Sequence, residues 1–433
     1  MKKKIVSLAL AGTLLLGGLA ACGKGSDSKN AGGKSGEKVS FTLLNTKSEI
    51  QPQLEKMAKE YSEANNVNME VLVTVGDSPS QDITKRYASG EAPTLFMGDV
   101  QDIYLMQEYA LDMAKEKFAE VQGVKEYGVV QDDKLIAFPL CIEARGLMYN
   151  KTAIEKATGE AFDPEAVNTV DEFKALLDKL IAGGMENPLT INMEDWSLAG
   201  HFLTMVYEEQ GESMDDVNQF IDDLKAGSVD LKSNERWNSL MDTFEVMKDY
   251  NMNKADPMAA NYDANAVALA EGTVGFWFNG NWAWAEMKDF VDENSEYGIM
   301  PVPQTNTDNG VTDKLAGSAS KRIMIDTKYN SEEQQKAALD WLNWLAYDEK
   351  GQDFLVNECD LIPALANNTL EVSNPLGASV QAYARNNALI DGYPYYPGDH
   401  WKQMGASFQE YLAGQVDRNG LADATVEYWK NQK

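Results

Sequence analysis

The chain has 433 residues, with 68 acidic and 38 basic side chains and a formal net charge of −30. That balance excludes a nucleic-acid binder, which needs clustered Lys and Arg against phosphate, and it disfavours docking on an anionic bilayer through a basic patch. Three cysteines and two histidines, all far apart, show no zinc-ligand spacing, and 44% hydrophobic residues suffice for sizeable cores in two or three domains.

Residues 1–22 read MKKKIVSLALAGTLLLGGLAAC. Lys2, Lys3 and Lys4 precede an apolar run from Ile5 to Leu16, and small residues lead up to Cys22. That is the layout of a secretory signal peptide over 1–21, and the run is shorter than the ~20 residues of a stable span. Leu19-Ala20-Ala21-Cys22-Gly23 resembles the lipobox of bacterial lipoproteins. The resemblance implies cleavage before Cys22 and a lipid on its sulfur. Residues 23–37, rich in Gly, Ser and Lys, read as a flexible linker with a reach of about 20 Å. The expected product is a folded body held by lipid on the outer face of the bacterial cell membrane. Cys141 and Cys359 then remain. A disulfide between them stays open, but Cys141 lies in the apolar run 136–142 and reads as a buried free thiol.

In the body, 39–45 reads as a strand, and Ile50, Leu54, Met57, Ala58 and Tyr61 have helical spacing over 49–64. A strand over 68–75, a helix over 80–89 and a strand over 94–97 follow. This alternation indicates an α/β fold with largely parallel sheets. Strands are expected over 135–140 and 146–149. Thr169 and Glu172 form a capping box that starts a mostly helical stretch to 250. Strands over 273–278, 297–300 and 321–325 and helices over 281–290 and 331–358 come next. The tail carries Tyr393-Pro-Tyr395-Tyr396-Pro-Gly-Asp399-His400-Trp401, which reads as a stiff, exposed aromatic loop before terminal helices.

Six segments in order resemble family 1 extracellular solute-binding proteins of ABC carbohydrate importers, the maltose-binding-like group. They are Gly90-Glu-Ala-Pro93-Thr-Leu-Phe-Met-Gly98-Asp99, Phe138-Pro139 through Glu143-Ala-Arg145 to Lys151, Thr169 to Phe173, Glu271 through Asn279-Gly280-Asn-Trp282 to Trp284, Tyr297 to Pro303, and Ala338 to Leu345 followed by Leu361 to Ala364. Thr94 stands where the family usually has Asp. The resemblance implies two α/β lobes joined by crossing segments, with the ligand between them. Lobe 1 is expected at 38–142 plus 317–364, and lobe 2 at 146–312 plus 366–433. It further implies a non-catalytic, cofactor-free protein, expected as a monomer, that delivers a carbohydrate to a membrane permease.

A sugar cleft needs flat aromatic faces for the C–H side of each ring and polar groups for its hydroxyls. Trp282 follows Asn279-Gly280-Asn281 at an expected strand-to-helix junction, and the resemblance gives it a stacking role; the alternative is packing against Trp284 and Met287. Glu143 matches a sugar-binding acid of the family, or pairs structurally with Arg145. Glu194 and Trp196 fall where the family makes acid and aromatic contacts, with Asp195 expected as a helix cap. Asn45 and Asp99 end strands, where open α/β sheets bind ligands, although both also suit turns or caps. Trp401 is a candidate second platform, Trp277 a weaker one inside a strand, and Ser318 a place where backbone approaches the ligand. Two other functions stay open. A glycoside hydrolase needs two carboxylates about 5–10 Å apart, which 68 acids supply by chance. A polyamine would suit an acidic cleft lined by aromatics.

Overall fold

The computed structural model describes residues 38–75, 78–305 and 310–432. The signal peptide, Cys22 and the linker lie outside them. Eleven strands among the described residues join in one sheet. They are β1 (Ser40–Asn45), β2 (Asn68–Val73), β3 (Leu95–Gly98), β4 (Val129–Gln131), β5 (Lys134–Asn150) and β6 (Leu189–Thr190), then β7 (Phe276–Gly280), β8 (Tyr297–Met300), β9 (Leu315–Ile325), β10 (Ile362–Pro363) and β11 (Leu389–Ile390). The order is β2-β1-β3-β9-β5-β7-β6, with β4, β8 and β10 also on β5 and β11 on β9.

The first third forms as the hydrophobic pattern requires. Leu43 and Leu44 are both fully buried because β1 is covered on both faces. Leu43 joins a core with α1 (Gln51–Asn65), and Leu44 joins a second core with α2 (Pro79–Ser89) and α3 (Val100–Met106). Neighbours along a strand point to opposite faces, so these helices flank the sheet. The Thr169–Glu172 capping box forms as expected. Trp237, Trp341 and Trp429 are fully buried in core positions.

Two expectations need correction. The sheet is mixed: β1–β2, β1–β3, β6–β7 and β9–β11 are parallel, but every pairing along β5 is antiparallel. The two strands expected at 135–140 and 146–149 are one strand, β5. Glu143 and Arg145 look like an interruption in the sequence, but each meets an opposite charge in the fold, so the strand runs through.

That continuity organises the molecule. Residues Phe138–Arg145 of β5 pair with β9, and Arg145–Tyr149 pair with β7. β9 continues from Ala316, beside Arg145, to Ile325, beside β3. Two long antiparallel strands thus belong to both halves. Beyond them, Leu198, Phe202, Trp237, Phe244, Phe408 and Trp429 build a separate core for the second half. Cys141 and Cys359 are both buried free thiols. No helix among the described residues is long and apolar enough to cross a membrane.

Candidate functional site

A cleft of about 540 Å³ lies where β5 and β9 pass between the halves. Its floor is the paired run Glu143–Ser318, Ala144–Gly317 and Arg145–Ala316. One wall comes from the turns after β1 and β3, with Lys47, Glu49, Asp99 and Gln101. The facing wall comes from 196–201, Tyr262, Trp282, Glu286 and the tail residues Tyr393, Tyr396 and Trp401.

Charges in the cleft are matched at short range. Lys47 is 2% exposed and donates to Glu49 at 2.6 Å and to Glu143. Burial alone would lower its pKa, but the two carboxylates override that and hold it well above the lysine range. Lys47 in turn holds the Glu49 carboxyl down against its own burial cost. Lys321 donates to Asp99 at 2.6 Å, and that carboxylate likewise raises its pKa against burial. Arg145 donates to the His201 carbonyl at 2.8 Å, to the Thr204 hydroxyl at 2.9 Å and to Glu208. Glu208 also accepts from the Tyr396 hydroxyl at 3.2 Å. Glu286 differs: burial, then Glu49 and Asp263, push its carboxyl up to about 6, and its Oε2 is buried with no hydrogen-bond partner among the described residues.

Aromatic faces line the second wall. Residues Trp196–Phe202 form a π-helical turn, a rare geometry concentrated at functional sites. It brings Trp196, Gly200 and His201 to the cleft. The His201 ring lies 4.8 Å from Trp282 and 5.2 Å from Trp196. Burial, with Arg145 and Lys321 nearby, drives its pKa well down, so it is neutral at pH 7. Two glycines seat the platforms. A Cβ on Gly200 would come within 3.1 Å of the Trp401 ring, and one on Gly280 within 2.2 Å of the Trp282 ring. Both indoles therefore lie close on bare backbone and line the cleft.

Of the residues singled out from sequence, Glu143, Arg145, Trp196, Trp282, Trp401, Asp99 and Ser318 line this one cleft. Three do not reach it. Trp277 is fully buried, its indole N–H donating to Asn192 at 2.9 Å, and its ring backs Tyr262 at 5.2 Å. Glu194 turns back to accept the Met193 N–H at 3.2 Å, while Asp195 caps the π turn through the Trp196 N–H. Asn45 is a turn residue: its side chain accepts from Lys47 N–H at 2.9 Å and donates to the Lys47 carbonyl at 2.8 Å. It positions Lys47, which the sequence reading passed over. The tail is also less exposed than expected, with Tyr393 and Tyr396 buried and Tyr395 exposed. His201, Lys47, Lys321, Tyr262 and Glu286 were missed. His201 alone carried a signal, as one of two histidines, five residues after Trp196.

A model of bacterial extracellular solute-binding proteins matches residues 56–372. The chain belongs to that family. Membership places its work outside the cytoplasm. No curated protein sequence matches it significantly. Among solved structures, the solute-binding protein RafE in complex with raffinose superposes with a TM-score of 0.73 at 18% identity, over 91% of this chain and 99% of that one. A Bacillus licheniformis sugar transporter in complex with stachyose gives 0.71 at 17% identity, over 90% and 99%. A chitin oligosaccharide binding protein gives 0.69 at 17%, over 91% and 98%. At such identities the likeness establishes the two-lobed α/β fold of this solute-binding protein.

Lys47→Ala leaves Glu143 and Glu49 facing each other in a buried site. Breaking such a pair costs about 3–5 kcal/mol. Urea denaturation is expected to show that loss, and Lys47→Ala with Glu143→Gln is expected to recover part of it. The Lys47 pKa is raised by folding, so its contribution is complete below the unfolded value of about 10.4 and is lost as pH climbs through the folded one.

Proposed function

We propose that this solute-binding protein takes up a neutral oligosaccharide without cleaving it and delivers it to an ABC transporter permease. Its lobes are 38–142 plus 317–364 and 146–312 plus 366–433, hinged where β5 and β9 cross. It works as a monomer, held at the membrane by the lipid on Cys22. Ligands of the sugar-bound neighbours motivate the class. The observation that carries it is the pairing of half-buried Trp196, Trp282 and Trp401 with a cleft in which Glu49, Glu143, Asp99 and Glu208 each meet a cation.

Aromatic faces suit the C–H side of a pyranose, and ion-paired carboxylates and cations still offer lone pairs and N–H groups to hydroxyls. A polyamine meets a weakened field here, since Glu49, Glu143, Asp99 and Glu208 each touch a cation and only Glu286 of the lining carboxylates does not. The carboxylates locked to Lys or Arg are poor general acids, which must hold a proton at neutral pH. Glu286, pushed up to about 6, is the lining acid left for that role, and the accumulation of reducing ends reads whether it is used. Micromolar binding needs about −8 kcal/mol, within reach of two or three stacked rings and several hydrogen bonds.

Calorimetry with raffinose, stachyose, chitin oligosaccharides and spermidine tests the reading. A saccharide is expected to bind in the micromolar range, with spermidine inert. Spermidine binding alone, or reducing ends accumulating from a bound saccharide, would overturn it. Trp282→Ala is expected to weaken saccharide binding at least about tenfold, a loss of about 1.4 kcal/mol, in a protein that still unfolds cooperatively. Binding should also depend on pH through Glu286. A hydroxyl donating to the ionised carboxylate lowers its pKa in the complex, so affinity is steady at neutral pH and falls as pH drops below about 6. Glu286→Gln is expected to flatten that profile.

A further inference from the structure

We propose that the cleft is barred on one side and open on the other, so that the saccharide is held by one chain end. The inference rests on the saccharide-binding reading above.

Two tyrosines make the bar. Tyr104 lies on α3, one turn beyond Val100 and Gln101 of the cleft wall. Tyr395 lies in the tail loop between Tyr393 and Tyr396 of the facing wall. The Tyr104 and Tyr395 rings are 5.0 Å apart, and their hydroxyls are 3.4 Å apart. Tyr395 is 54% exposed, but its support is firm. Its ring sits 5.7 Å from buried Tyr393, which packs 5.1 Å from buried Tyr396. Tyr396 donates to Glu208, which holds Arg145 on β5. The contact thus joins the two walls from anchored positions, just outside the residues that line the cleft.

The opposite side is built differently. Tyr104 packs with the core of Leu44, Ile83 and Phe96, on one face of the sheet. Glu49 leads into α1, whose core contains Leu43 and extends to Tyr262 and Trp282. Leu43 and Leu44 point to opposite faces, so Glu49 and Tyr104 mark opposite sides of the cleft. On the Glu49 side the other wall contributes Glu286 to the lining, and its Oε2 has no hydrogen-bond partner among the described residues. Two ionised carboxylates only accept hydrogen bonds, so none can latch the walls together there, and both remain acceptors for the hydroxyls of a ring passing out. The terminal ring therefore stops against the tyrosine pair beside Trp401, and the chain leaves past Trp282 between Glu49 and Glu286.

The test uses maltotriose and chitotriose. Each is offered unmodified, labelled with 2-aminobenzamide at the reducing end, or carrying a 4,6-benzylidene group at the non-reducing end. One modification is expected to change Kd by less than about threefold and the other to weaken binding by more than about tenfold, differences of about 0.7 and 1.4 kcal/mol. Tyr395→Ala is expected to readmit the excluded form, while Tyr395→Phe, which keeps the ring, still rejects it. Unfolding of both variants without sugar shows that the fold is kept. Equal tolerance or equal exclusion of the two modified ends, or an excluded form that Tyr395→Ala does not rescue, would overturn the proposal. Failure of both unmodified trioses to bind wild type would remove this inference, and it would count against the saccharide reading itself only if raffinose, stachyose and longer chitin oligosaccharides also failed to bind.

Discussion

The buried contact of Lys47 with Glu143 and Glu49 is the constraint on which the rest depends. A carboxylate in the middle of a buried strand is costly unless a cation meets it. Lys47 meets Glu143 from the turn after β1, held there by Asn45. Arg145, two residues on, points to the same side of the strand and meets Glu208. With both charges matched, β5 runs unbroken from one half to the other, and β9 beside it. The cleft exists because the polar residues that a sequence would place at a strand end sit in mid-strand, where the halves meet.

The second wall adds shape to that charge pattern. A π turn, a glycine under each of two indoles and a neutral histidine between Trp196 and Trp282 produce aromatic surface with little freedom to move. Preorganised faces lose little entropy on binding, which favours a weakly interacting, neutral ligand. Ion pairs at the floor and first wall supply directional groups whose charges are largely balanced. The two sides of the cleft then differ, a tyrosine contact at one and a carboxylate from each wall at the other.

Much of this was legible in the sequence, for identifiable reasons. β1, α1 and the Thr169 cap follow from local pattern and capping chemistry, which need no tertiary knowledge. Trp282 was legible because glycine and asparagine before a tryptophan mark a turn that exposes a ring. Trp277 was a weaker candidate inside a strand and Glu194 came from the family resemblance; burial in the strand and a side chain's turn back to the neighbouring backbone sent them elsewhere. Lys47 and Lys321 were illegible for the opposite reason. Lysine is a surface residue by type, and only partners distant in sequence, Glu143 and Asp99, bring these two inside. The parallel-sheet expectation failed because alternation of strands and helices describes β1 to β3 well and says nothing about long strands that return from the other half.

The central claim is that an intact neutral saccharide lies between the two walls against the indoles. A crystal structure of the protein grown with its tightest-binding saccharide tests this most directly. The account predicts pyranose rings against Trp282 and Trp401, hydroxyls on the Glu143, Lys47 and Asp99 side chains, and unbroken glycosidic bonds. A saccharide bound away from these indoles, or present in the cleft only as cleaved fragments, would contradict it.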